Sequence, residues 1–180
     1  YSVPEPNRLQ DRRSYDAAGA DARVEARVAA GRSGGFENTP DSDPDLPGNR
    51  AWGRDIANRM VDSELGKDLV SDALVADANQ LDEVVARGVS AADSWQALGA
   101  DERARILYRA AESLEERRAD LLEVMGSECG KTLDQGDPEV SEAIDFANYY
   151  AMLGQLLEQV DGAVYRQKRL IAVIPPWNFP

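Results

Sequence analysis

The chain has 180 residues, 43% of them apolar, and carries a net charge of -13. That length bounds it to one domain or one and a fraction, with enough apolar matter to bury a core. The acidic balance excludes nucleic-acid backbones and anionic membrane surfaces as partners, since both would repel it. Histidine is absent and Cys129 is the one cysteine. An intrachain disulfide is therefore impossible, and a metal site of the ordinary Cys/His kind is not expected. A lone thiol fits a reducing cytoplasm. No run approaches the roughly 18 apolar residues of a membrane span, and the first ten residues have no signal-peptide core. The chain does not open on methionine, and an internal cut is the expected origin of its N-terminus.

Residues 1–48 are rich in Pro, Gly, Asp and Arg and read as a linker, largely irregular. Within it, residues 16–30 permit a short helix with an apolar face mostly of alanine. From Asn49 the pattern turns helical, with Trp52, Ile56, Met60 and Val61 at helical spacing. Residues 74–98 predict a longer helix that offers Leu81, Val84, Val85, Val89 and Trp95 to one side, with Gly88 marking a bend. Gly99 stops it, and Asp101 is placed to cap the next helix.

That helix carries Ile106, Leu107, Ala110, Ala111 and Leu114 as a buried stripe, with Glu and Arg opposite. A further helix over residues 119–128 is closed by Gly130. Asp137-Pro138 predicts a cap followed by proline at the first helical position of a helix running to about Gln159. Val140, Ile144, Ala147, Tyr150 and Leu153 face its core. After Asp161-Gly162 the period changes. Residues 163–167 alternate as a hairpin strand would, and Leu170-Ile171-Ala172-Val173-Ile174 is an unbroken apolar run, the mark of a strand covered on both faces. Little else in the sequence can cover such a strand, so the chain is expected to be a fragment of something larger.

The strand leads into a loop stiffened by Pro175, Pro176 and Pro180. Such stiffness suits a side chain that must be held closely in place. The polar side chain in that loop is Asn178, whose amide donates two hydrogen bonds without a proton to lose. Pro176-Trp177-Asn178-Phe179-Pro180 after an apolar strand resembles the signature of the aldehyde dehydrogenase superfamily. Upstream, Glu128-Cys129-Gly130-Lys131-Thr132 resembles the family's E-x-G-K-T/P turn, with a helix between the two. The resemblance covers residues 75–180. It implies an α/β fold, present here as the N-terminal helical layer (residues 49–169) and the first strand and loop of the NAD-binding domain (residues 170–180).

The resemblance also implies a chemistry. In the family a cysteine thiolate attacks the aldehyde, and an asparagine amide with a backbone N–H holds the resulting oxyanion. Hydride is then taken up by nicotinamide, and a glutamate activates water against the thioester. Carried over, Asn178 is the oxyanion donor, and Ile174, Pro175, Pro176 and Trp177 line the NAD pocket. The family's nucleophile and base fall beyond Pro180, so the fragment by itself is expected to be inactive.

Glu139 to Ala151 resembles the "E-AIDF-RYYA" helix of 1-pyrroline-5-carboxylate (L-glutamate γ-semialdehyde) dehydrogenases. Phe36 to Trp52 resembles the segment that, in bifunctional proline utilization enzymes, joins a flavin-dependent proline dehydrogenase barrel to the aldehyde dehydrogenase; Thr39 and Ser42 depart from it. The resemblance implies oxidation of the semialdehyde to glutamate with NAD in proline catabolism, with FAD confined to a proline dehydrogenase domain upstream. It also implies a cytoplasmic homo-oligomer. Glu142 is then the candidate partner for the substrate's amine and Phe179 for its aliphatic part; a solvated or structural role for the Glu142 carboxylate stays open beside this.

Cys129 sits at the variable position of the E-x-G-K turn, with no histidine to act as base, and reads as structural. No glycine-rich phosphate loop precedes Lys131. Tyr149 and Tyr150 read as core and interface residues. Asp41, Asp43 and Asp45 alternate as in a calcium loop but lack its glycine and terminal glutamate. Two other readings remain: a dehydrogenase of another aldehyde, such as succinate semialdehyde or a betaine aldehyde, and a non-catalytic acidic helical module that binds a basic partner. For residues 49–180 alone, exposed apolar surface and aggregation are expected.

Overall fold

The computed structural model describes residues 10–176; Trp177, Asn178, Phe179 and Pro180 lie outside the described residues. Seven helices follow in order: α1 (Ala20–Gly31), α2 (Pro47–Met60), α3 (Lys67–Asp72), α4 (Ala78–Ala97), α5 (Ala100–Glu116), α6 (Arg118–Cys129) and α7 (Leu133–Leu157). Helices α5 and α7 form the spine, α1 lies against both, and α2 packs on α6.

One core cluster joins Ile56 of α2, Ala111 of α5, Leu122 and Met125 of α6, and Val140 and Ile144 of α7. A second joins Val24 and Val28 of α1 to Ala104 and Tyr108 of α5 and Ala151 of α7. Close approach is built in at glycines. A Cβ on Gly126 would stand 2.3 Å from the Met60 sulfur, and one on Gly136 would stand 2.9 Å from Leu122.

Within residues 10–48 the short helix that the sequence permits over residues 16–30 forms as α1 over residues 20–31, and it is a packed element. Val24 and Val28, one turn apart, are buried. Burying each such side chain stabilises by about 1.5–3 kcal/mol, enough to dock a helix that is otherwise alanine and charge. Helix α1 has no side-chain N-cap. At its other end Gln155 donates to the Val28 carbonyl at 3.0 Å, satisfying an acceptor the helix itself cannot.

Other local expectations are corrected. Gly99, not Asp101, is the N-cap of α5, and Asp101 instead accepts from Gln155 at 2.8 Å. Helix α7 starts earlier than Pro138, because Thr132 and Gln135 form a capping box ahead of it. Pro138 therefore lies inside the helix, where it removes the hydrogen bond that an N–H at this position would make to the Asp134 carbonyl. The stripe of α5 is rotated, with Ala104, Tyr108, Ala111 and Glu112 buried and Ile106 exposed. Tyr150 is exposed, and Tyr149 stacks edge-on against Phe36 at 5.2 Å.

Helix α4 forms, with Asp77 accepting from the Gln80 N–H at 3.0 Å as N-cap, and it runs unbroken through Gly88. Its offered side, Leu81, Val84, Val85, Val89 and Trp95, is exposed. Among the described residues no strand forms. Ile171, Val173 and Ile174 of the expected strand are exposed without backbone pairing. Strand hydrogen bonds need a second strand, and the helices around them have none to give. The tail is held instead by Arg169, which donates to Asp93 at 2.6 Å and to the Val89 carbonyl at 3.1 Å on α4. Among the described residues no helix is long and apolar enough to cross a membrane.

Candidate functional site

The described part of the signature loop comprises Ile174, Pro175 and Pro176, all exposed, with Ile174 at 88%. Glu142 also faces solvent, on the outer side of α7, one turn before the exposed Phe146. Among the described residues it makes no hydrogen bond or ion pair. Asn178, Trp177 and Phe179 fall outside the described residues.

The E-x-G-K turn has a definite geometry. Gly130 closes α6 in the left-handed region at φ 67°, a backbone position that favours glycine. Lys131 then points onto α7 and pairs with Glu139. Thr132 starts α7 one residue later. The turn thus fixes where the helix that carries Glu142 begins.

Two charged networks fasten residues 10–43 to the helices. In the first, Arg118 is 98% buried by its neighbours, with 2% of its side chain exposed. It donates to Asp137 at 2.9 Å, to the Ser141 hydroxyl at 3.0 Å and to Glu115 at 2.8 Å. Ser42 donates its hydroxyl to the same Asp137 carboxylate at 2.8 Å. Arg12, equally buried, pairs with Glu115 and donates to Ser42 at 2.9 Å. Burial and the neighbouring Arg118 cation together lower the pKa of Arg12.

The second network converges on Glu112. Its carboxylate accepts from Tyr15 at 2.6 Å and from Arg23 at 2.6 and 3.0 Å, and it pairs with Arg27. Burial pushes its pKa up, but the hydrogen bonds from Arg23, Tyr15 and Arg27 outweigh that and hold it below its ordinary value. The same contact and desolvation raise the Tyr15 hydroxyl to about 12, desolvation contributing most. Asp145 holds the strap beyond α1, accepting from Asn38 and from the Thr39 N–H, each at 2.6 Å.

The sequence reading missed these networks, because the Glu and Arg residues opposite the α5 stripe were assigned to its solvated side and Arg118 was given no role. The available signal was the run of arginines before residue 33, cations that an acidic helical layer can hold. Among the described residues no group of three His, Cys, Asp or Glu side chains is arranged to hold a metal ion.

With this geometry in place, the chain belongs to the aldehyde dehydrogenase family, whose model matches residues 61–180. Among individual relatives, the bifunctional protein PutA of Salmonella typhimurium is 31% identical over 181 residues, covering 99% of this chain and 13% of that protein. The 1-pyrroline-5-carboxylate dehydrogenase 2 of Bacillus subtilis is 29% identical over 63% of this chain and 24% of its own. The D-glyceraldehyde dehydrogenase (NADP(+)) of Thermoplasma acidophilum is 29% identical over 72% of this chain and 29% of its own. The chain thus spans less than a third of each of these relatives. No solved structure matches it significantly.

Proposed function

We propose that the chain is the front part of an L-glutamate γ-semialdehyde dehydrogenase that oxidises the semialdehyde to glutamate with NAD in proline catabolism. The supporting observation is where the similarity runs. The family match begins at residue 61, yet the likeness to a bifunctional PutA extends over 99% of the chain. Residues 10–43, which the two charged networks bind to the helical layer, are thus part of what resembles PutA. On this reading a flavin-dependent proline dehydrogenase domain lies upstream in the same protein, and the working enzyme is a cytoplasmic homo-oligomer with an α/β catalytic fold. The Cys nucleophile and Glu base lie beyond Pro180, and the 180 residues alone are inactive.

The residues at hand suit the cofactor chemically. Pro175 and Pro176 have no N–H, so their backbones offer only carbonyl acceptors, and Ile174 adds an apolar surface. Together with Trp177 these would line the NAD pocket. NAD, when bound, accepts hydride. Asn178 would hold the oxyanion with its amide, and the prolines on either side would keep that amide in place. Glu142 would meet the substrate's cationic amine, and Phe179 its aliphatic chain. The exposed, unpartnered Glu142 carboxylate leaves it available for that contact.

The test is an assay of the full-length protein with L-glutamate γ-semialdehyde, succinate semialdehyde and D-glyceraldehyde, each with NAD and NADP. Preference in kcat/KM for glutamate semialdehyde with NAD supports the proposal. A preference for either other aldehyde would replace the substrate, and absence of all three activities would leave the acidic helical module as the better reading.

A further inference from the structure

We propose that helix α4 positions the signature loop through Arg169 and Leu170, which makes Arg169 a positioning residue for the amide of Asn178. The inference rests on the dehydrogenase reading above, since it gives Arg169 an effect on that chemistry.

Burial does not place the segment that leads into the loop. From Leu157 to Pro176 every residue but Gln167 is exposed. Beyond Gly162, the side-chain hydrogen bonds among the described residues are the two that Arg169 makes. Both land on α4, one on the Asp93 carboxylate at 2.6 Å and one on the Val89 carbonyl at 3.1 Å. These acceptors are about one helical turn apart and so share a face of the helix. The planar fork of a guanidinium reaches both at once, which the point charge of a lysine does not. The Val89 carbonyl can take the second donor because it has a lone pair beyond the one its helix uses.

Leu170 fixes the next position. A Cβ on Gly88 would stand 2.8 Å from the Leu170 Cδ1, so Leu170 lies against bare helix backbone. Glycine weakens a helix interior relative to alanine, and at Gly88 it opens the notch in which Leu170 sits. Two consecutive residues of the tail are thereby held to a helix of 20 residues. The apolar run 170–174 and the loop depart from that point.

The ion pair is exposed, at 50% and 73% of the two side chains, so it adds little to stability. Its effect is geometric. The connection from Arg169 to Asn178 is short and is stiffened by Pro175 and Pro176. A shift of about 1 Å in a catalytic group costs on the order of a hundredfold in rate. A displaced starting point is therefore felt at the oxyanion amide.

The experiment measures kcat of the full-length protein for L-glutamate γ-semialdehyde at saturating NAD. Arg169→Met should lower kcat about tenfold or more and leave KM for the aldehyde unchanged. Arg169→Lys, which keeps the charge facing Asp93, should recover part of the loss. In an Asn178→Ala background Arg169→Met should lower kcat no further, because the amide it serves is gone. A residue that only supports the fold would lower both backgrounds alike. Hydrogen exchange over residues 170–174 reads the clamp without activity, and Arg169→Met should accelerate it at an unchanged thermal midpoint. An unchanged kcat, an equal loss in both backgrounds, or unchanged exchange would overturn the proposal. A parent protein that does not oxidise the semialdehyde would instead sink the dehydrogenase reading, and with it the catalytic role of Arg169, even where exchange shows the clamp.

Discussion

Arg118 of α6 and Asp137 of α7 meet at 2.9 Å with only 2% and 8% of their side chains exposed. Around that contact Glu115, Ser141 and Ser42 fill the remaining hydrogen-bonding positions. A buried pair of this kind is weak evidence of net stabilisation, but removing one partner strands the other. Asp137→Ala should therefore destabilise the protein by about 3–5 kcal/mol, read as a fall in the urea midpoint. A loss under about 1 kcal/mol would show that water reaches Arg118 in place of the carboxylate.

The Glu112 contact makes stability depend on pH in the acid range. Glu112 is held below its ordinary 4.5 when folded. Its contribution is therefore present above pH 4.5 and lost as pH falls through the lowered folded value. Glu112→Gln should flatten that acid limb in urea midpoints measured between neutral pH and the acid transition. An unchanged limb would assign the acid sensitivity to other carboxylates.

Tyr15 has the opposite sign. Its hydroxyl is raised from 10.0 to about 12 in the fold. The stability it contributes is full below pH 10 and declines as pH rises toward 12. Tyr15→Phe should remove that decline, which a thermal melt followed across alkaline pH would detect. A decline of the same slope in the variant would count against it.

A Cβ on Gly31 would stand 2.2 Å from Gln155 Oε1 and 2.6 Å from the Tyr108 hydroxyl. Gln155 is buried and already engaged by Val28 and Asp101, so it cannot swing away cheaply. Gly31→Ala should cost about 1–3 kcal/mol, as overpacking does, although alanine is the better helix former. A thermal midpoint at or above that of the parent would show that α1 shifts to make room.

On the proposed dehydrogenase reading, Asn178→Ala in the full-length protein should lower kcat for aldehyde oxidation by about 10²–10³, the usual loss on removing an oxyanion donor. Glu142→Ala should raise KM for glutamate semialdehyde and leave kcat nearly intact. An unchanged KM would remove Glu142 from substrate binding and return it to the solvated surface of α7.

Much of the helical layer was legible from local rules. The stop at Gly130, the helices through Ile56 and Ile144, and the Glu128-to-Thr132 turn all depend on short-range signals. The errors came where distant residues decide. Tyr108 and Glu112 were missed because what buries them is α1 and Tyr15, roughly a hundred positions earlier in the chain. A valine pair among alanines gives a weak period, so α1 looked like tether. The apolar side of α4 and residues 170–174 were correctly seen as apolar, but what covers them does not follow from their own pattern. For the candidate site, the motif marked Asn178 and its neighbours, whereas the Glu112 and Arg118 networks gave no local sign, since their partners lie far away in the chain.

Family similarity begins at residue 61, but Arg12, Val24 and Val28 are as much interior as anything after it. A cut made at the family boundary would strip Glu112 of Arg23 and Arg27 and Glu115 of Arg12, and open the side of Tyr108 to water. The folding unit and the recognisable unit therefore have different edges. Expression boundaries should follow the folding unit and start upstream of Gln10, which makes the first contact to α5 among the described residues.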